Sequence, residues 1–184
     1  MKTKNLLKNT RCYLPGAMQY VKDGKSWRER VKSELKSRNI TFFDPYYKPF
    51  LNNISEDDNS RAEMLHWMEI EQYDSVTDRM KHIRGHDLRL VDISDWFICV
   101  ISPSTASWGT AEELSIIVRE QKPIFLVVND PRGKQATPLW ILSMINHKYI
   151  YNTLDEVFEI VKKIDDGKIE LSSDKWRLLL PELR

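Results

Sequence analysis

The stretch WFICVISPSTASWGTAEELSIIVREQKPIFLVV, Trp96–Val128, holds two apolar runs with a helix-like segment between them. Trp96–Ile101 and Pro123–Val128 are continuous in their apolar character, as expected of strands buried on both faces of a parallel sheet. Between them, Thr110–Arg119 places Ala111, Leu114, Ile117 and Val118 on one helical stripe. Strand, helix and strand in this order form a βαβ unit. Thr110 with Glu113 three residues on reads as a capping box that starts the helix. That assignment needs no function, so whether the Glu112-Glu113 pair also carries chemistry depends on the surrounding chain.

The same alternation continues in both directions. Arg11–Leu14 is a strand stopped by Pro15-Gly16. A helix follows from Ser26, with Glu29 as its capping-box partner, through Trp27, Val31 and Leu35 to Ser37; Ile40–Phe43 is a strand closed by Asp44-Pro45. Residues 44–60 are loop-like yet carry Tyr46, Tyr47, Phe50 and Leu51, which fits a lid, a subunit contact or ordinary packing. Helices are expected at Arg61–Tyr73, with Met64, Leu65, Met68 and Tyr73 inward, at Val76–Arg84, ended by Gly85, and at His86–Ser94. After a polar loop at Asn129–Thr137 come a helix at Pro138–Ile145, a strand at Tyr149–Tyr151 and a helix at Leu154–Ile164 capped by Thr153. The expected fold is α/β: a flavodoxin-like or Rossmann-like three-layer sandwich around a five-stranded parallel sheet. One domain spans residues 1–184, with a core of about 11–164 and a tail at 165–184. In that tail Trp176 and Leu178–Leu180 form a last helix or an arm.

Composition narrows the function. With 28 basic and 27 acidic side chains in 184 residues the net charge is +1, so no field draws the protein to a nucleic acid polymer or an anionic membrane. A small-molecule ligand is expected. The apolar runs fall far short of the roughly 20 residues that span a bilayer. MKTKNLLKNT lacks a signal peptide's apolar region and cleavage site, so a cytoplasmic location is expected. Cys12 and Cys99 lie in strands as buried reduced thiols. His82 and His86 have the spacing of a metal pair, but Gly85 interrupts their helix and no third ligand is evident, so they read as surface histidines. No metal or cofactor is expected, and with no phosphate-loop signature neither is kinase or NTPase activity.

Helical geometry sorts the acids. At about 100° per residue, Glu112 lies about 160° from Leu114, toward solvent, and Glu113 about 100°, on the flank that reaches a pocket edge. Asp87 falls about 60° from Leu90, on the inward face with Ile93 and Ser94, while Asp92 falls on the far side. A core-facing Asp is either a satisfied structural acid or part of a site. Asp87 before the third strand and Glu113 after it make a carboxylate pair near a strand's carboxyl end, where such sheets bind ligands. Paired carboxylates are the equipment of glycosidic cleavage. A helix's first turn would keep Glu113 ionised and able to attack.

Three elements now carry a resemblance: CYLPGAM (Cys12–Met18), DLRLVDISDWFICV (Asp87–Val100) and SWGTAEEL (Ser107–Leu114). Together they resemble the nucleoside 2-deoxyribosyltransferase family and the related 2′-deoxynucleoside 5′-monophosphate N-glycosidases, from about Arg11 to Tyr151. The resemblance implies that Glu113 is the nucleophile, Asp87 the acid near the sugar hydroxyl and base, and Tyr13 the residue holding the Glu113 carboxylate. It places Gly16, Ala17, Ser107 and Gly109 around the sugar and its 5′ end, and Met18 where a family aromatic stacks on the base. Ser107 stands where the monophosphate glycosidases carry a Ser near the 5′-phosphate. Such enzymes assemble as homo-oligomers with sites at subunit interfaces.

The implied reaction is retaining cleavage of the N-glycosidic bond of 2′-deoxynucleosides or their 5′-monophosphates through a glycosyl-Glu113 ester. The deoxyribosyl group then passes to a second base or to water. The alternative is a nucleotide-binding or sensor module on the same fold that performs no turnover.

Overall fold

The structure is a computed structural model that describes residues 4–18, 23–47, 56–105 and 107–169, without the side chain of Asp58. Five parallel strands form its centre: β1 (Arg11–Tyr13), β2 (Thr41–Phe43), β3 (Trp96–Ile101), β4 (Ile124–Val128) and β5 (Ile150–Tyr151), in the order β2-β1-β3-β4-β5. Register runs Cys12 to Phe42 and Trp96, Cys99 to Leu126, and Leu126 to Ile150. This is the expected flavodoxin-like α/β sandwich, and strand order reverses between β1 and β3.

The period of two along a strand builds the two cores. Cys12, Trp96, Ile98, Phe125 and Val127 face α1 (Ser26–Glu34), through Val31, and the last helix. Tyr13, Phe97, Cys99, Leu126 and Val128 face the opposite layer, where Leu90, Val91, Leu114 and Ile117 meet them. The helices between are α2 (Asp58–Glu69), α3 (Tyr73–Ile93), α4 (Trp108–Arg119), α5 (Leu139–Met144) and α6 (Leu154–Asp165). Thr153 caps α6 as expected, accepting from the Glu156 amide at 3.3 Å. Leu7 packs into the first core, and fully buried Asp165 accepts its amide at 2.8 Å.

Several local expectations are corrected. Gly85 does not break a helix: α3 runs through it for 21 residues, because one glycine costs a helix only about 1 kcal/mol and Ile83, Leu90 and Val91 anchor both sides. The Arg61–Tyr73 helix is instead α2, ending at Glu69, and its apolar residues do not face the core. Leu65 is 49% exposed, Met68 47% and Tyr73 53%, since α2 packs on α3 outside the sheet layers. Ser26 and Glu29 form no capping box; Lys25 precedes α1, and Asp23 accepts the amides of Lys25 and Ser26. The residues Phe50, Leu51, Trp176 and Leu178–Leu180 lie outside the described residues.

Candidate active site

The reversal between β1 and β3 opens a cleft of about 720 Å³ between α3 and α4. Asp87 enters it from α3, and Ser107, Gly109 and Glu113 from the start of α4. Tyr13, the last residue of β1, lies fully buried beneath and donates its hydroxyl to Glu113 Oε1 at 2.6 Å. The structure thus brings together Tyr13, Asp87, Ser107, Gly109 and Glu113, residues spread over a hundred positions of the chain.

The start of α4 differs from expectation. Ser107, not Thr110, is the N-cap: its hydroxyl accepts the Thr110 amide at 3.4 Å and bonds the Thr110 hydroxyl at 2.8 Å. Thr110 turns inward and is buried, and the Thr110–Glu113 capping box is absent. The helix therefore begins two residues early and leaves Glu113 in its second turn, beyond the reach of the first-turn dipole invoked to keep it ionised. Ala111 is also exposed rather than part of the buried stripe, which consists of Thr110, Glu113, Leu114 and Ile117.

Burial decides the state of Glu113. Only 8% of it is exposed, and desolvation pushes its pKa from 4.5 up to about 8, opposed by the Tyr13 hydrogen bond and helped by the charges of Asp87 and Glu56. Tyr13 is pushed well above the ordinary phenol range, first by burial and then by Glu113, so it remains a donor. The site therefore sets a buried carboxyl group of raised proton affinity, Glu113, beside a second carboxyl group, Asp87. Glu112 points the other way and forms a two-pronged ion pair with Arg84 at the cleft rim, which holds it ionised.

Gly16, Ala17 and Met18 do not line this cleft. They leave β1 alongside it, with Gly16 bridged to Val100 in parallel fashion. A Cβ on Gly16 would stand 2.8 Å from the Val100 carbonyl oxygen, which is why glycine is needed there. Met18 lends its carbonyl to Arg61 at 2.9 Å.

Sequence reasoning missed Arg28, which is fully buried and donates to the carbonyls of Leu14, Gly16 and Gly24. A signal existed: Arg28, Val31 and Leu35 are spaced i, i+3, i+7 and share one helical face. It also missed His86, whose Nδ1 lies 3.7 Å from Asp87 Oδ1 with only 16% of its side chain exposed, so it is no surface histidine. His82 is exposed on the same unbroken α3. Among the described residues no group of three or more His, Cys, Asp or Glu side chains is placed to hold a metal. Cys12 and Cys99 are free and buried, and burial raises both thiols. No helix among the described residues is long and apolar enough to cross a membrane.

Fold and site define a parallel α/β protein with a carboxylate pair and a supporting tyrosine at the point where strand order reverses. The nucleoside 2-deoxyribosyltransferase family profile matches residues 12–143, and the chain belongs to that family. It is accordingly a nucleoside-deoxyribosyltransferase-like enzyme, and the family implies small nucleoside substrates. Among solved structures it is similar to a 2-deoxyribosyltransferase from the psychrotolerant bacterium Bacillus psychrosaccharolyticus, at 16% identity and a TM-score of 0.48, over 74% of this chain and 82% of that one. It is also similar to a conserved protein from Enterococcus faecalis V583, at 15% identity and a TM-score of 0.46, over 88% and 99% of the two chains. No curated protein matches.

Proposed function

We propose that the protein cleaves the N-glycosidic bond of 2′-deoxynucleosides or their 5′-monophosphates by a retaining mechanism with Glu113 as nucleophile. The observation that carries this reading is the 2.6 Å bond from Tyr13 to Glu113 Oε1 at a cleft that also receives Asp87. One carboxylate oxygen is held by the phenol, and the other is left to attack. An oxygen–C1′ bond forms as the C1′–N bond breaks, and Asp87 supplies the proton that leaves with the base. A second base, or water, then attacks C1′, the ester bond breaks, and Asp87 takes up the proton released by the acceptor. The absence of a 2′-hydroxyl eases positive charge onto C1′ in the oxocarbenium-like transition state. Ser107 and Gly109, at the amino end of α4, suit the 5′ end of the substrate, where unbonded helix amides favour an anion.

Attack requires the ionised form of Glu113. With its pKa near 8 in the free protein, the ionised fraction of Glu113, and with it that group's contribution to kcat/KM, is expected to rise about tenfold per pH unit below that value. Release of free base from a panel of deoxynucleosides and deoxynucleoside 5′-monophosphates, with and without a second base, identifies substrate and acceptor. Asp87→Asn is expected to slow release by about 10²-fold. Glu113→Ala is expected to abolish it, and an unchanged rate in that variant overturns the assignment. Nucleotide binding by the wild type without base release would favour the non-catalytic module instead.

A further inference from the structure

Arg28 has no exposed surface, and its guanidinium is spent mostly on neutral partners. Nε donates to the Leu14 carbonyl at 3.0 Å, Nη2 to that of Gly16 at 2.9 Å, and Nη1 to that of Gly24. The first two carbonyls lie on the segment that leaves β1 directly after Tyr13, and the third lies just before α1. The carboxylate beside the guanidinium, Asp44 at 3.7 Å from Nε, is shared with Lys32 at 2.9 Å and with the Tyr46 amide at 3.0 Å. Trp27 and Tyr46 stack near the guanidinium, their ring centres 4.3 and 5.3 Å from it, and exclude water. A buried cation so lightly compensated projects its field inward.

We propose that Arg28 is a positioning residue for Glu113. It clamps the carbonyls after β1 so that Tyr13 meets the carboxylate, and it supplies the buried positive charge that opposes the like charges around it. The groups that act on the charge of Glu113 are Tyr13 from β1, by its hydrogen bond, and at longer range Arg28 from α1, Glu56 from the segment before α2, Asp87 from α3 and Cys99 from β3. Burial keeps Tyr13 and Cys99 neutral, so the contest of charges is Arg28 against Asp87 and Glu56. Glu113 is drawn toward its ionised form by Arg28 and away from it by the two acids.

The proposal deepens the reading of Glu113 as nucleophile, and its main test does not depend on turnover. Protein labelled with ¹³C-glutamate is titrated by NMR, the Glu113 carboxyl signal being assigned by its loss in Glu113→Gln. Arg28→Met is expected to raise the Glu113 midpoint by about one pH unit. Arg28→Lys keeps the charge but lacks the planar fork; it is expected to restore the midpoint while leaving turnover reduced. Asp44→Asn releases the Arg28 charge and is expected to lower the midpoint. A folded Arg28→Met protein with an unshifted Glu113 overturns the proposal. If that variant does not fold, an Asp44→Asn protein whose Glu113 midpoint fails to fall overturns it equally. Should base release be absent throughout, the glycosidic reading fails while the titration still decides the role of Arg28.

Discussion

The region built on β3 and α4 and the region built on α2 and the first turns of α3 treat apolar residues in opposite ways. In the first, Leu114 and Ile117 are sealed against the sheet; in the second, Leu65, Met68 and Ile70 are each about half exposed. The first region creates the dry surroundings that raise the proton affinity of Glu113. In the second, α2 stands outside the sandwich and, among the described residues, lends none to the cleft, whose wall on this side is made by Met80, Ile83 and Arg84 of α3. The proton affinity of Glu113 is thus set by the core, and the wall of its cleft by the long helix beside it.

Four substitutions break or sharpen this contrast. Leu114→Ala is expected to cost about 3 to 4 kcal/mol, and Leu65→Ala under about 0.5, by urea denaturation. Equal losses would mean that the α2 region is as deeply packed as the sheet. Glu113→Gln comes next. The folded-state pKa, about 8, lies above the ordinary 4.5, so the native protein binds the extra proton between those values and loses stability as pH rises through them. The glutamine variant is expected to match the wild type at pH 4 and to exceed it at pH 9 by roughly 5 kcal/mol. A gain that does not vary with pH would show that burial is not what strains the acid. The smallest effect is Gly85→Ala, at a site with nothing within 4 Å of the added carbon. It is expected to stabilise by about 0.5 to 1 kcal/mol, measured as a higher urea midpoint.

What could be read from the sequence follows the same divide. β3 and β4 announce themselves as continuous apolar runs, and helical phase separates Glu113 from Glu112 because Leu114 and Ile117 must face the sheet. The resemblance supplied Tyr13, whose bond to Glu113 no spacing predicts. The exposed residues of α2 were misread because periodicity identifies an apolar face without saying that anything covers it. Arg28 was passed over because a charged residue is normally assigned to solvent, although its spacing placed it among core residues. The start of α4 was misplaced because Ser107 and Thr110 are equally good caps by residue type; which one turns inward is decided by packing.

The continuity of α3 has a consequence for tolerated length changes. Met80 and Asp87 both line the cleft and are seven residues apart, nearly two whole turns, so they are in phase. One residue inserted between them would swing Met80 about 100° around the axis while Asp87 stayed docked on the sheet; seven would restore the alignment at the cost of about 10 Å of added reach. The helix works as a vernier, on which only certain lengths of insertion keep the wall of the cleft aligned with the acid at its floor.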